Sequence, residues 1–134
     1  MTRTDITIVP VPRDHRDAYV EFSRRTAEVY LDHGATQVVD HWQFGEETHQ
    51  EEFHADGVDH DPDALQDLSA MMGAADTEAV VVSITQWPSD EVREQGVDAA
   101  TRDPRVLATL DEDPVFDGRR LVTGTFEEVL RLER

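Results

Sequence analysis

The stretch that leaves the fewest choices is Glu78 to Ser89, EAVVVSITQWPS. Three consecutive valines with Ile84 and Thr85 make a β-branched run, which loses side-chain freedom in a helix and packs well on a pleated surface. Trp87-Pro88 closes the run. Ser89 then stands as a helix-capping residue before Asp90 and Glu91, acids that favour a helix N-terminus. A buried strand followed at once by a helix is predicted here, and the rest of the chain must supply its neighbours.

Before this strand, Thr4 to Val11 alternates Ile6 and Ile8 with polar residues and ends in Pro10 and Pro12, a first strand with one end near an edge. Within Asp14 to His33, Tyr19, Phe22, Thr26, Val29 or Tyr30, and His33 recur at helical spacing, with Asp14 as cap and Gly34 as stop. Ala35 to Phe44 reads as a second strand whose two faces are Val38, Asp40, Trp42, Phe44 and Val39, His41, Gln43. Residues 45–76 are acidic, His-rich and poor in apolar side chains, an excursion that ends in a short helix capped by Asp61 or Asp63 and stopped by Gly73. After the central strand, the helix from Ser89 is broken by a second start at Asp103-Pro104. Phe116-Asp117-Gly118 forms a turn, and Arg119 to Val129 is the last strand, with Gly124 a bulge or close-approach site. The order β-α-β-β-α-β predicts an α+β, ferredoxin-like domain with a four-stranded antiparallel sheet over residues 1–134. With both helices on one face, the apolar opposite face calls for a second copy, so a homodimer closing an α/β barrel is expected.

Charge bounds the partners. The 134 residues carry 30 acidic and 12 basic side chains, a formal net charge of −18, and every basic residue is Arg. Such self-repulsion weakens a compact state at low ionic strength, whereas concentrated salt screens it within a few ångströms. This suggests a salt-adapted protein, as in halophilic archaea; the alternative, an acidic protein from a GC-rich genome where Arg codons displace Lys, accounts for the missing Lys but not for the excess of Asp. A nucleic-acid partner is not expected, because Arg24-Arg25 and Arg119-Arg120 are isolated pairs in an acidic field. Cysteine is absent, which removes disulfides, Cys-ligated zinc and a thiolate nucleophile. No apolar run reaches membrane-spanning length, so no membrane partner and a cytoplasmic location are expected.

Several stretches together resemble the YbaA-like family (domain of unknown function 1428) of the dimeric α/β-barrel superfamily. They are VPVP at Val9 to Pro12, AY at Ala18-Tyr19, HGA at His33 to Ala35, VV with Trp42, VVVS and WPS within Val80 to Ser89, DPR at Asp103 to Arg105, and FDGRR with GTFE between Phe116 and Glu127. Three departures stand out: His41 where the family tends to have Cys, Ile84 in place of an aromatic residue, and a longer excursion. The family has no established activity. The wider superfamily includes antibiotic-biosynthesis monooxygenases and haem-degrading enzymes, so the resemblance implies a small molecule held between sheet and helices.

Three groups are candidate sites. His49, His54 and His60 sit among carboxylates and could bind a divalent metal, or simply belong to a solvated acidic loop; no rigid metal-ligand spacing is present and no cofactor is expected. His33 and His41 with Trp42 and Trp87 could hold a planar ligand or carry a proton, or else cap and fill the fold. Arg105 and Arg120, with Asp103, Asp117 and Arg119, could form an anion site, or cap turns and pair with carboxylates. Two function classes follow: a non-catalytic or ligand-binding protein, and a small monooxygenase-type oxidoreductase working without a cofactor. A cavity lined by His41 or a Trp favours the second, and a sheet and helix layer packed shut favours the first.

The charge balance makes a first prediction: the melting midpoint rises as KCl increases to molar levels. Thermal melts over a salt series check it, and a flat or falling midpoint would remove the reading of salt adaptation.

Overall fold

The computed structural model describes residues 1–45 and 67–134 of the chain. Its elements are β1 (Arg3–Pro12), α1 (Arg16–Asp32), β2 (Gln37–Trp42), α2 (Leu68–Met71), β3 (Glu78–Trp87), α3 (Asp90–Arg102), α4 (Pro104–Ala108) and β4 (Val122–Glu127). All strand pairs are antiparallel and the sheet order is β2-β3-β1-β4, the ferredoxin-like arrangement. The β-branched run from Glu78 is central, as its composition demands: β3 pairs with β1 along its whole length and with β2 from Val81 to Gln86.

Local chemistry sets the boundaries. Ser89 caps α3 by accepting from the Val92 N–H at 3.1 Å, and Asp103 caps α4 by accepting from the Arg105 N–H at 2.9 Å with Pro104 at the first turn. α1 ends at Gly34, whose φ of 111° suits a residue without Cβ. Some sequence expectations shift. Asp14 does not cap α1; it lies in a single 3-10 turn, Arg13–His15, that leads into the helix. The α2 turn is capped by Asp67, which accepts from the Ala70 N–H, while Asp61 and Asp63 lie outside the described residues. Gly124 is not a bulge. It pairs in unbroken register with Ile6, and the ring of Phe126 lies against it. Pro10 and Pro12 fall beyond the stretch of β1 paired with β4, where a missing N–H on that side is harmless.

The pleat sorts the sheet into two faces. Val9, Val11, Val81 and Trp87 are buried under the long helices, where Tyr19, Trp42, Val115 and Phe116 complete the cluster. Trp87 packs edge-on to Tyr30 of α1 and is fully buried. It also lies against Gly96 of α3, where an added Cβ would stand 2.5 Å from the His33 carbonyl, so the α3 backbone can approach only through a glycine. The opposite face carries Ile6, Ile8, Val39, Val82 and Ile84, all half-buried, with Val122 and Phe126 each 52% exposed. At one end of that face α2 is tied down through Gln43, whose Oε1 accepts from the Val80 N–H and the Ser69 hydroxyl at 3.1 Å each.

Neighbouring valines therefore have opposite environments. Val81→Asp buries an unpaired carboxylate in the cluster and should cost about 3 kcal/mol or more, abolishing the cooperative melt. Val82→Asp, one residue on, should leave each subunit folded. Circular dichroism melts of the two variants in high salt check the contrast, and equal damage from both would contradict the assignment of faces.

Candidate functional site

The helix-covered face of the sheet is unusually polar. Its positions, read across the strands, include Asp5 and Thr7 of β1, Asp40 of β2, Ser83 and Thr85 of β3, and Thr123 and Thr125 of β4. Packing alone would place aliphatic side chains there, because polar groups lose hydration on burial unless they find partners. Between this face and the helices lies a cavity of about 410 Å³, walled by Phe22, Tyr30, Trp87, Val97 and Phe116 among others and lined also by Arg93 of α3. A second, wider hollow of about 650 Å³ runs between α1 and β2, past Arg16, Val20, Val38, Asp40, His41 and Trp42.

Two carboxylates dominate this face. Asp40 accepts from the Tyr19 hydroxyl at 3.0 Å, from the Ser83 hydroxyl at 2.5 Å and from the Ser23 hydroxyl. Among the described residues no cation pairs with it. Tyr19 and Ser23 border both hollows, so the Asp40 group forms the partition between them. Burial first, and then the Asp40 charge, push the Tyr19 hydroxyl well above the usual tyrosine range, so it stays a neutral donor. Asp5 is held differently: it accepts from Trp87 Nε1 at 3.0 Å, from Arg93 Nε at 2.9 and 3.1 Å, and from the Thr125 hydroxyl at 2.8 Å. The two acids lie two strands and two residues apart, about 12 Å between Cα atoms from strand geometry.

The residues singled out from the sequence fall into separate places. Trp87 lines the cavity between sheet and helices, and His41 and Trp42 line the outer hollow, where the Arg16 guanidinium stands 5.6 Å from the Trp42 ring centre. His33 borders neither; its Nε2 lies 3.0 Å from Asp103 Oδ2. Arg105 joins the same clasp through Asp103 at 2.9 Å and Asp32 at 2.8 Å, tying the end of α1 to the start of α4. Arg120 pairs elsewhere, with Glu78 at 2.7 Å and the Gly73 carbonyl at 2.9 Å, and Asp117 accepts from Arg119. The arginines and aspartates proposed as one anion cluster are thus divided among separate ion pairs. His49, His54 and His60 lie outside the described residues, and among the described residues no group of three or more His, Asp or Glu is placed to hold a metal. No described helix is long and apolar enough to cross a membrane. Sequence reasoning missed Asp5, Tyr19, Ser23, Ser83 and Arg93 as site residues. The one available signal was an acid at an inward strand position, since Asp40 alternates with Val38 and Trp42.

Residues 2–118 match the family model described as protein of unknown function (DUF1428). The chain belongs to this family. This DUF1428 protein is 31% identical over 131 residues to the uncharacterized protein YbaA of Escherichia coli strain K12, covering 97% of this chain and 98% of the relative. YbaA of Shigella flexneri matches to the same extent. Among solved structures, a mutant of SnoaB, a cofactor-independent oxygenase from Streptomyces nogalater, superposes with a TM-score of 0.52 at 13% identity, covering 99% of this chain and 98% of that one. That likeness is one of fold, and it agrees with the sheet order and helix placement of this DUF1428 protein.

The His33–Asp103–Arg105 clasp predicts an acid response. Arg105 first, then His33 and the Arg105 backbone N–H, hold the Asp103 carboxyl far below its usual range; Arg120 and the Ala75 N–H lower Glu78 in the same way. Because the folded value lies below the unfolded one, near about 4, the stabilisation is full above that pH and declines progressively as pH falls from there toward the folded value. Asp103→Asn should lower the midpoint at pH 7, with the difference from wild type shrinking below about pH 4. Melts from pH 3 to pH 7 check this; a constant difference would argue against the clasp.

Proposed function

We propose that this protein binds a small, largely aromatic molecule between its sheet and helices, with the Asp40 group as proton acceptor. The observation that carries the reading is the hollow, polar layer itself: a cavity of about 410 Å³ with aromatic walls occupies the place where a purely structural core would be filled. Ser23 and Tyr19 border that cavity and hydrogen-bond Asp40, so a ligand hydroxyl or acidic C–H can pass a proton to the carboxylate through a hydroxyl. The catalytic form of the reading is cofactor-independent oxygenation, in which the deprotonated, electron-rich ligand reacts with dioxygen as the oxidant. Two features support it: the Asp40 group, and a fold shared with a protein described as a cofactor-independent oxygenase.

The working form in this proposal is a salt-adapted homodimer. The open sheet face with Ile6, Ile8, Val82, Ile84, Val122 and Phe126 is of the order of 500 Å² per subunit, large for an apolar patch on a monomer. At about 25 cal/mol per Å² on two copies it supplies roughly 25 kcal/mol of gross driving force, ample against association costs. Stacking two such faces closes a barrel and leaves the ligand layer of each subunit beneath its own helices. Light scattering then gives a dimer for wild type and a monomer for Val82→Asp.

The ligand reading is tested with 2-naphthol, an aromatic probe whose fluorescence separates the neutral and deprotonated forms. Wild type should bind it saturably and show naphtholate emission. Asp40→Asn should keep binding and lose that emission, while Val97→Phe, which fills the cavity from α3, should weaken binding at least tenfold. Unchanged binding in Val97→Phe would refute the cavity as the site.

A further inference from the structure

Arg93 of α3 lines this cavity, and its guanidinium is held through one nitrogen alone. Arg25, Arg105, Arg120 and Arg131 each commit both terminal nitrogens to carboxylate, carbonyl or amide oxygens. Arg3, like Arg93, makes its hydrogen bonds through Nε alone, but it does not line the cavity. Arg93 reaches both oxygens of Asp5 through Nε alone, at 2.9 and 3.1 Å. Its two terminal nitrogens have no hydrogen-bond partner among the described residues, and its side chain is 26% exposed. Asp5 is not short of donors: Trp87 Nε1 and the Thr125 hydroxyl supply it independently. Asp5 thus fixes the guanidinium at Nε, and the edge carrying the two terminal nitrogens is left uncommitted in a side chain that lines the cavity.

We propose that Arg93 is the anchor for an anionic group, and that the ligand of this cavity is an aromatic carboxylate. The proposal rests on the ligand-binding reading above and names the class of ligand. A flat carboxylate matches the two-nitrogen edge of a guanidinium, which a single-point cation does not. The remaining walls, Phe22, Tyr30, Val97, Val106 and Phe116, suit a planar apolar body extending away from that group. The setting adds selectivity. Half-buried Asp5 and the acidic exterior repel an anion that lacks an aligned partner, so only a carboxylate placed on the fork gains. Molar salt, which screens the exterior over a few ångströms, leaves the short contact inside the cavity intact.

The test compares 2-naphthoate with 2-naphthamide, equal in shape and different in charge, by isothermal titration at fixed high salt with wild type, Arg93→Gln and Arg93→Lys. Wild type should bind the acid at least tenfold more tightly than the amide. Arg93→Gln should bring the acid down to the level of the amide and leave amide binding unchanged, which also shows that the variant is folded. Arg93→Lys, keeping the charge without the fork, should fall between them. Equal affinity of wild type for acid and amide, or equal loss of both in Arg93→Gln, would overturn the anchor while leaving the cavity a ligand site. Failure of wild type to bind either compound would overturn the ligand-binding reading together with the anchor.

Discussion

One half-hidden carboxylate joins most of this fold. Asp5 stands on β1 and receives hydrogen bonds from Trp87 at the end of β3, from Arg93 of α3 and from Thr125 of β4. Two strands and the helix that follows one of them are thus fixed to β1 at a single point. A charge in such a place costs free energy unless its hydration is replaced, and four donor contacts replace it. The consequence is directional. Trp87 is set with its indole N–H toward the sheet and its ring toward α1 and α3, where Tyr30 meets it edge-on and Gly96 gives it room. Asp5 therefore decides how closely α3 approaches the sheet.

The second carboxylate, Asp40, plays the complementary part between α1 and β2. Its partners are hydroxyls from two elements of the helix and sheet layers, Tyr19 and Ser23 of α1 and Ser83 of β3. Hydroxyls can turn to donate or accept, whereas the guanidinium on Asp5 can only donate. The two acids consequently differ in setting: Asp5 is fixed by a guanidinium, an indole and a hydroxyl, and Asp40 by hydroxyls alone. The hollow space between them follows from the same choice of residues, since short Ser and Thr side chains satisfy the carboxylates without filling the volume that leucines would.

Much of the architecture was legible because it depends on local rules. The β-branched run at Glu78 to Trp87, the caps at Ser89 and Asp103, and the stop at Gly34 are each visible within a few residues, and the structure places all of them as the pattern requires. The failures are local rules that tertiary context overrode. Asp14 has the chemistry of a cap, yet a 3-10 turn takes that position; at Gly124, of the two expected roles, close approach holds, by the Phe126 ring, and the bulge does not. The site was far less legible. His33 and Arg105 look functional as isolated residues, but they are spent on Asp103 and on each other's helix ends.

The sequence by itself determined the strand and helix order, the absence of cysteine chemistry, the acidic exterior and the presence of two unequal sheet faces. These follow from side-chain spacing and composition, which act over one or two turns or strand repeats. Only the tertiary structure decided that Asp5, Trp87, Arg93 and Thr125 meet, that Tyr19, Ser23 and Ser83 converge on Asp40, and that a cavity remains between the layers. Those groups come from positions up to 120 residues apart. No periodicity links them, because what brings them together is the register of an antiparallel sheet and the close packing of a helix against a tryptophan.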